Sequence, residues 1–390
     1  MAFLTLKDLD FKEKTVLVRV DFNVPLANGN VTDDKRIRAA LPTIEYLLKQ
    51  KAIVILMSHL GKPDGGVVEE LRMDAVAATL SKLLKKPVHK LDDCVGAEVE
   101  DFLNECTFGE IVLLENLRFH AEEELNDDDF SQSLAELADV FVNDAFGTMH
   151  RAHASVVGIT KYLPSCAGFL VEKELTMLGK LLQNPERPFV AIMGGAKVSD
   201  KINVIKNLLT KVDALLIGGA MMFTFLALGY EVGKSKVERD KMALAKELLG
   251  NKKIVLPTDT IVAPSVDAKA TVVSVKEMPA EQIGLDIGPE TLATYISILQ
   301  KAKTVFWNGP MGMFEVKQFA AGTNELAKAM ANSKATTVVG GGDAVAAVEQ
   351  LKLEDKFTHV STGGGASLEF LEGKKLPGVA ALEEAARRKA

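Results

Sequence analysis

Two groups of residues in this 390-residue chain carry side chains suited to gripping anionic oxygen. In the first half, Asp21 and Asn23, His59 and Lys62, Arg118, and Arg151 with His153 follow short apolar runs, and Arg36 opens a helical pattern nearby. Any one of these basic residues alone reads best as a surface charge. Their arrival after four separate runs points to an anion pocket, where arginine's planar fork of donors matches phosphate or carboxylate. In the second half, Lys197 and Lys201 are four apart at an expected helix start, which would set them on one face. Gly341-Gly342-Asp343 feeds the helical run 344–351, placing free amides at a helix N-terminus, a setting suited to phosphate. Asp343 would repel phosphate unless a cation sat between them, which implies Mg²⁺.

The elements that must position these groups read as follows. Residues 16–25 (VLVRVDFNVP) alternate as a strand does, with Val18, Val20 and Phe22 on one side and Arg19, Asp21 and Asn23 on the other. Pro25 ends the pairing, since it brings no donor. Further apolar runs at 52–57, 111–114 and 140–142 read as buried strands, and 35–49 and 71–84 have helical spacing. The acidic patch 122–129 reads as a solvated loop and helix start. The second half repeats one unit, a short apolar strand, a small-residue turn and a helix, with strands at 189–193, 214–217, 253–256, 304–307, 336–339 and 359–361. This alternation predicts an α/β chain of parallel sheets with helices on both faces, and ligands beyond the carboxyl ends of the strands. Glycine pairs after successive strands would leave bare backbone there for a ligand. Residues 168–183 read as a connecting helix, stopped by Asn184-Pro185.

Length predicts two domains. A net charge of −7 argues against a general nucleic-acid or membrane binder. Cys94, Cys106 and Cys166 lack metal-ligand spacing and form no disulfide framework, which suits a reducing cytoplasm. The N-terminus lacks a signal-peptide core and no run is long enough to span a bilayer, so no membrane partner is expected. No exposed heptad or long apolar face suggests a dimer, and a monomer is expected. His89 and His120 read as structural or surface residues; His59, His150 and His153 are pocket candidates. The stretch 229–235 imitates a P-loop but has three residues between its glycines where four are required.

Seven motifs then coincide in order: R-x-D-x-N-x-P within 16–25, SHLGKP at 58–63, NDAFGTMHRAH at 143–153, GGAKVSDK at 194–201, WNGPMGMFE at 307–315, GGGD at 340–343 and STGGGAS at 361–367. Along its whole length the chain resembles the phosphoglycerate kinase family. The resemblance implies two doubly wound, Rossmann-like domains facing each other across a hinged cleft: 1–170 with the tail 376–390, a connecting helix 171–185, and a nucleotide-binding domain 186–375. It implies reversible phosphoryl transfer from 1,3-bisphosphoglycerate to Mg-ADP, giving 3-phosphoglycerate and ATP. By matching position, Asp21, Phe22, Asn23, Arg36, His59, Leu60, Gly61, Lys62, Arg118 and Arg151 look like the phosphoglycerate site. Lys201, Glu315, Gly341, Gly342, Asp343 and Ala344 look like the nucleotide site, with Glu315 on the ribose and Asp343 on Mg²⁺. Arg36 and Lys197, with Gly341 and Gly342, are similar to the groups that hold the migrating phosphoryl. Many members carry threonine where this chain has Ala344; the amide survives and a hydroxyl contact is lost.

The acceptor in the ATP-consuming direction is a carboxylate, ionised at neutral pH, so no general base is needed and catalysis reduces to positioning and charge stabilisation. Arg36 and Lys197 would both engage only on closure, with 363–365 and the connecting helix as hinges. An NAD-dependent oxidoreductase is disfavoured, because no G-x-G-x-x-G opens either half. A non-catalytic phosphosugar or nucleotide scaffold leaves Lys197, Lys201 and Asp343 without a role.

Overall fold

A computed structural model describes residues 3–389. The chain forms two compact units; one runs through to Leu175 and takes back the segment that starts at Lys375, and the other is Thr176–Lys374.

The first unit is built on six parallel strands in the spatial order His89–Lys90, Ile111–Leu113, Ile53–Met57, Thr15–Arg19, Val140–Asn143, Ser165–Ala167. Both faces of this sheet are covered, which is why its central strand Ile53–Met57 is apolar throughout rather than alternating. Val16, Val18, Val54, Leu56, Val140 and Val142 enter the core on one face. Leu17, Ile53, Ile55, Met57 and Phe141 enter the core on the other. The helix Lys35–Lys49 lays Ile37, Ala40, Ile44 and Leu47 into the first of these cores. Connections leave Thr15–Arg19 and Val140–Asn143 in opposite directions along the sheet, so a crevice opens beyond their carboxyl ends.

Alternation through 16–25 overstated the first strand, which ends at Arg19. Beyond it the backbone turns to side-chain partners: the Phe22 amide donates to Ser58 Oγ at 2.9 Å. Asp21 and Asn23 therefore lie in a loop above the sheet edge and present their side chains there, while Phe22 between them turns its ring into the core and leaves only its backbone near the edge. The expected helix 71–84 begins only at Asp74, after a 3₁₀ turn Glu69–Leu71. The acidic patch resolves into two helices, Ala121–Leu125 and Asp128–Glu136.

In the second unit six parallel strands follow the order Ile254–Val255, Ala214–Ile217, Phe189–Met193, Thr304–Asn308, Thr336–Gly340, His359–Val360. Connections leave Phe189–Met193 and Thr304–Asn308 in opposite directions along the sheet, and the ends of these two parallel strands carry Gly194-Gly195 and Gly309-Pro310. A small antiparallel sheet, Thr271–Ser274, Asp259–Ala263 and Ile283–Ile287, is inserted before Thr304. Sequence periodicity missed it, because three of the four residues of Thr271–Ser274 are exposed and give no apolar run.

The helix Phe169–Gln183 begins in the first unit and ends in the second. Its start is held by Asp144, whose Oδ1 accepts from the Leu170 amide at 2.9 Å, while the Phe169 amide donates to Thr43 Oγ1 at 3.0 Å. Asp144 is fully buried, and burial pushes its carboxyl up to about 6. The last helix, Pro377–Lys389, packs on the strand Ser165–Ala167 and the turn Gly158–Lys161. Arg388 donates there to the carbonyls of Thr160 at 2.6 Å and Lys161 at 3.0 Å. Among the described residues no helix is long and apolar enough to cross a membrane.

Candidate active-site residues in each unit

In the first unit the loop after Arg19 brings Asp21 over the start of the helix Lys35–Lys49. Arg36, in its first turn, donates from one nitrogen to both Asp21 oxygens, at 3.0 and 2.9 Å. Arg36 keeps 37% of its side chain exposed while Asp21 keeps 9%, so the pair is anchored at the acid and open at the cation. Asn23 Oδ1 accepts from the Gly61 amide at 2.9 Å. Gly61 has φ +65°, and a Cβ there would press on Leu71 at 2.7 Å. The Gly61 carbonyl in turn accepts from Arg118 at 2.9 Å.

Arg118 lies in the 3₁₀ turn Leu117–Phe119 that follows the strand Ile111–Leu113, and it is buried. One nitrogen pairs with Glu124 at 2.9 Å, and its Nε has no partner among the described residues. Burial works against its charge and lowers its pKa, with Arg151 adding to the effect and Glu124 opposing it. A buried guanidinium with a spare donor is a costly arrangement without an anion to receive it. Lys62, Arg118 and Arg151 line one cavity of about 390 Å³, together with His120 and Glu124. Asn23, Leu60 and Gly61 line another, with Leu26 and Leu71.

Beneath these groups lies a buried polar layer that sequence reading only partly marked. Arg19, at the strand's last position, donates to Ser155 Oγ at 2.8 Å and to the Val20 carbonyl at 2.6 Å. It also reaches His59 Nδ1 at 3.2 Å. Glu123 answers the charge at 3.9 Å and accepts from the amide and hydroxyl of Ser155. Burial, with Arg19, Arg118 and Arg36 close by, holds His59 far below the usual imidazole range, so its ring is neutral. His153 is turned inward, 3.7 Å from Glu123, and burial brings its pKa to about 3. His153 therefore supports the layer instead of facing the edge. Asn116 ties two site loops together, accepting from the Leu60 and Arg118 amides and donating to the Leu60 and Leu71 carbonyls. Nothing short of the fold could have assigned Glu123, Ser155 or Asn116 these positions, since their partners lie far off in sequence.

In the second unit the structure separates the two lysines expected on one helix face. The helix starts at Ile202, so 194–201 is a turn; Lys197 is exposed and Lys201 is half-buried. The delay has a cause. Glu238 accepts from the Val198 amide, from the Ser199 amide at 3.1 Å and from the Ser199 hydroxyl at 2.6 Å, holding those residues out of a helix. Burial works to raise the Glu238 carboxyl, but the Ser199 and Val198 donors outweigh it and hold it below the usual range. Lys201 Nζ donates to Asn308 Oδ1, and Asn308 Nδ2 donates to the Gly340 carbonyl at 2.7 Å. Burial lowers Lys201 to about 8, against the pull of Asp343 and Asp200.

The glycine pairs divide into two kinds. Gly194, Gly218, Gly219 and Gly309 are small because they pack on one another's turns; a Cβ on Gly219 would overlap the Gly195 backbone, and one on Gly309 would meet the Gly194 carbonyl at 2.5 Å. These do not form the bare ledge expected of them. Gly342 and Gly364 do face open space. Gly341, at φ +90°, caps the helix Gly342–Gln350, and exposed Asp343 stands in its first turn above buried Ala344. Exposed Glu315 follows the strand Thr304–Asn308. The first-turn amides, Asp343 and the half-buried ammonium of Lys201 thus belong to one sheet edge, an arrangement that can bind a multiply charged anion.

A profile of the phosphoglycerate kinase family matches residues 6–374. The chain is 57% identical to phosphoglycerate kinase of Dictyoglomus turgidum, over 98% of this chain and 99% of that one. It belongs to the phosphoglycerate kinase family. It is 60% identical to the Moorella thermoacetica phosphoglycerate kinase, over 98% of this chain and 100% of that one. Among solved structures it is similar to phosphoglycerate kinase from Coxiella burnetii, with 43% identity and a TM-score of 0.90 over 98% of this chain and 100% of that one. The Pyrococcus horikoshii phosphoglycerate kinase gives 36% identity and a TM-score of 0.88, over 99% and 100%. The chain is accordingly an enzyme, a glycolytic phosphotransferase of phosphoglycerate kinase type acting on small molecules, with a nucleotide as one substrate. The oxidoreductase and scaffold readings fall away.

Proposed function

We propose that the first unit binds 3-phosphoglycerate or 1,3-bisphosphoglycerate through Asp21, Phe22, Asn23, Arg36, His59, Leu60, Gly61, Lys62, Arg118 and Arg151. The second binds ADP or ATP through Lys201, Glu315, Gly341, Gly342, Asp343 and Ala344. The observation that carries this reading is the gathering of Lys62, Arg118 and Arg151 round one cavity, with the buried Nε of Arg118 still to be satisfied.

The 3-phosphoglycerate carboxylate is already ionised at neutral pH, so it attacks the γ-phosphorus without a general base. Arg36 and Lys197, exposed enough to reach a ligand, neutralise charge on the transferring group, helped by the amides of Gly341 and Gly342. Asp21 orients Arg36, and Glu238 orients the turn that carries Lys197. Among the described residues no cluster of carboxylates forms a Mg²⁺ cage at this edge. A single exposed carboxylate in a helix first turn suits Mg²⁺, which commonly takes one or two protein oxygens and completes its shell with phosphate and water. Asp343 would hold it there, and the ion would supply charge neutralisation of the nucleotide phosphates.

Transfer requires the two ligands to be brought together, so closure of the units is part of the reading. Three free cysteines support residence in the reducing cytoplasm, and a monomer is expected. A coupled assay of ATP consumption with 3-phosphoglycerate tests the whole reading. ADP formation that needs both 3-phosphoglycerate and Mg²⁺ supports it; none under any substrate pairing removes it.

A further inference from the structure

Cys94, which sequence spacing leaves without a metal-ligand partner, lies in the fold beside Asp93 and His120. One ligand atom from each of the three falls within 4.8 Å of the other two. The side chains come from separate connections. Asp93-Cys94 follows the edge strand His89–Lys90, and its loop is fixed by the Glu115 amide donating to the Asp93 carbonyl at 3.2 Å. His120 ends the 3₁₀ turn Leu117–Phe119, its amide donating to the Leu117 carbonyl at 3.2 Å.

We infer that Asp93, Cys94 and His120 form a binding site for one borderline-soft divalent cation of the Zn²⁺ class, separate from the Mg²⁺–nucleotide edge of the second unit. A thiolate, an imidazole and a carboxylate make a three-ligand set that leaves a fourth tetrahedral position to water. A hard ion such as Mg²⁺ gains little from a thiolate, so the donor types select against it. The burial gradient supplies an entry side: Cys94 is buried at the bottom, while the His120 and Asp93 side chains are 29% and 54% exposed. The His120 ring is held in plane by stacking on Phe130, with centroids 5.2 Å apart and an interplanar angle of 28°. His120 Nε2 and Asp93 Oδ1 share a hydrogen bond of 2.7 Å, and the same Oδ1 accepts from the Cys94 amide. A cation would replace the imidazole–carboxylate bond by one bond to each partner, and the thiol proton would leave to solvent.

The test uses the intact, metal-stripped chain with Co²⁺ and Zn²⁺ as probes. Co²⁺ titration should give sulfur-to-metal charge-transfer absorption saturating at one equivalent. Zn²⁺ should displace it and millimolar Mg²⁺ should not. Cys94→Ser should abolish the charge-transfer band. His120→Asn and Asp93→Asn, two changes at accessible positions that spare the core, should each weaken Zn²⁺ at least tenfold. Absence of the charge-transfer band, displacement by Mg²⁺, or Zn²⁺ affinity unchanged in His120→Asn and Asp93→Asn would overturn the site. The readout is metal binding, so it stands or falls independently of the phosphotransfer reading.

Discussion

One guanidinium nitrogen of Arg36 bonds both carboxylate oxygens of Asp21, so a single buried acid fixes the direction of a half-exposed cation. Arg36→Ala should lower kcat by about 10²–10³ while nucleotide KM stays within about twofold, because the lost charge acts in the transition state. Asp21→Ala, which frees the same guanidinium, should lower kcat less and raise the KM for 3-phosphoglycerate. Steady-state kinetics on both substrates decide it; an unchanged kcat in Arg36→Ala removes that residue from the chemistry.

Glu238 should matter to kcat although it is read as touching no ligand. Its carboxylate gathers three donors from Val198 and Ser199, and losing it frees the turn between Lys197 and Lys201. Glu238→Ala should cost at least about tenfold in kcat, the scale on which a small misplacement of a charged group is felt. Glu238→Gln, which keeps an acceptor, should recover part of the loss. Equal loss in both variants would mean the carboxylate acts only on stability.

Nucleotide affinity should depend on pH through Lys201. Burial sets its ammonium near 8, so the charged form prevails below that pH and the neutral form above it. Phosphate groups bind the charged form, so nucleotide Kd should be flat below about pH 7.5 and rise above pH 8. Lys201→Arg stays charged throughout and should flatten the profile. Calorimetric titration at several pH values measures both.

Asp286 should make the second unit less stable as pH rises. Its buried oxygens accept from the amides of Ile287 at 2.9 Å and Gly322 at 2.8 Å, yet burial dominates and lifts the carboxyl to about 7. The folded pKa lies above the unfolded value of about 3.9, so its stabilising contribution is complete below that value and lost as pH climbs through 7. The denaturant midpoint of the wild type relative to Asp286→Asn should therefore fall between pH 4 and pH 8. A difference that is constant with pH would show that Asp286 does not titrate in this range.

Apolar runs marked the central strands because parallel strands buried on both faces must be apolar at every position, as Ile53–Met57 and Phe189–Met193 are. The same rule hid the antiparallel insertion, whose strand Thr271–Ser274 is mostly exposed. Residue type marked Arg36, Arg118 and Lys201 as candidates, since cations in the connections after strands stand out in a chain of net charge −7. It could not reveal that Glu238 holds a turn 40 residues upstream, or that the glycines at 194 and 218 make room for Pro310 and Met311. Those roles are set by tertiary contact, on which local pattern is silent. The two lysines four apart show the limit most plainly: helical spacing is informative only once the helix has begun.

The helix Pro377–Lys389 completes the first unit from the far end of the chain. During synthesis, the lobe translated first must wait for the whole of the second to emerge before its last partner arrives to cover the strand Ser165–Ala167. The second lobe, Thr176–Lys374, has no such debt to later sequence. A chain truncated after Lys374 would therefore carry every residue of the carboxyl-terminal lobe behind an amino-terminal one left without its closing helix.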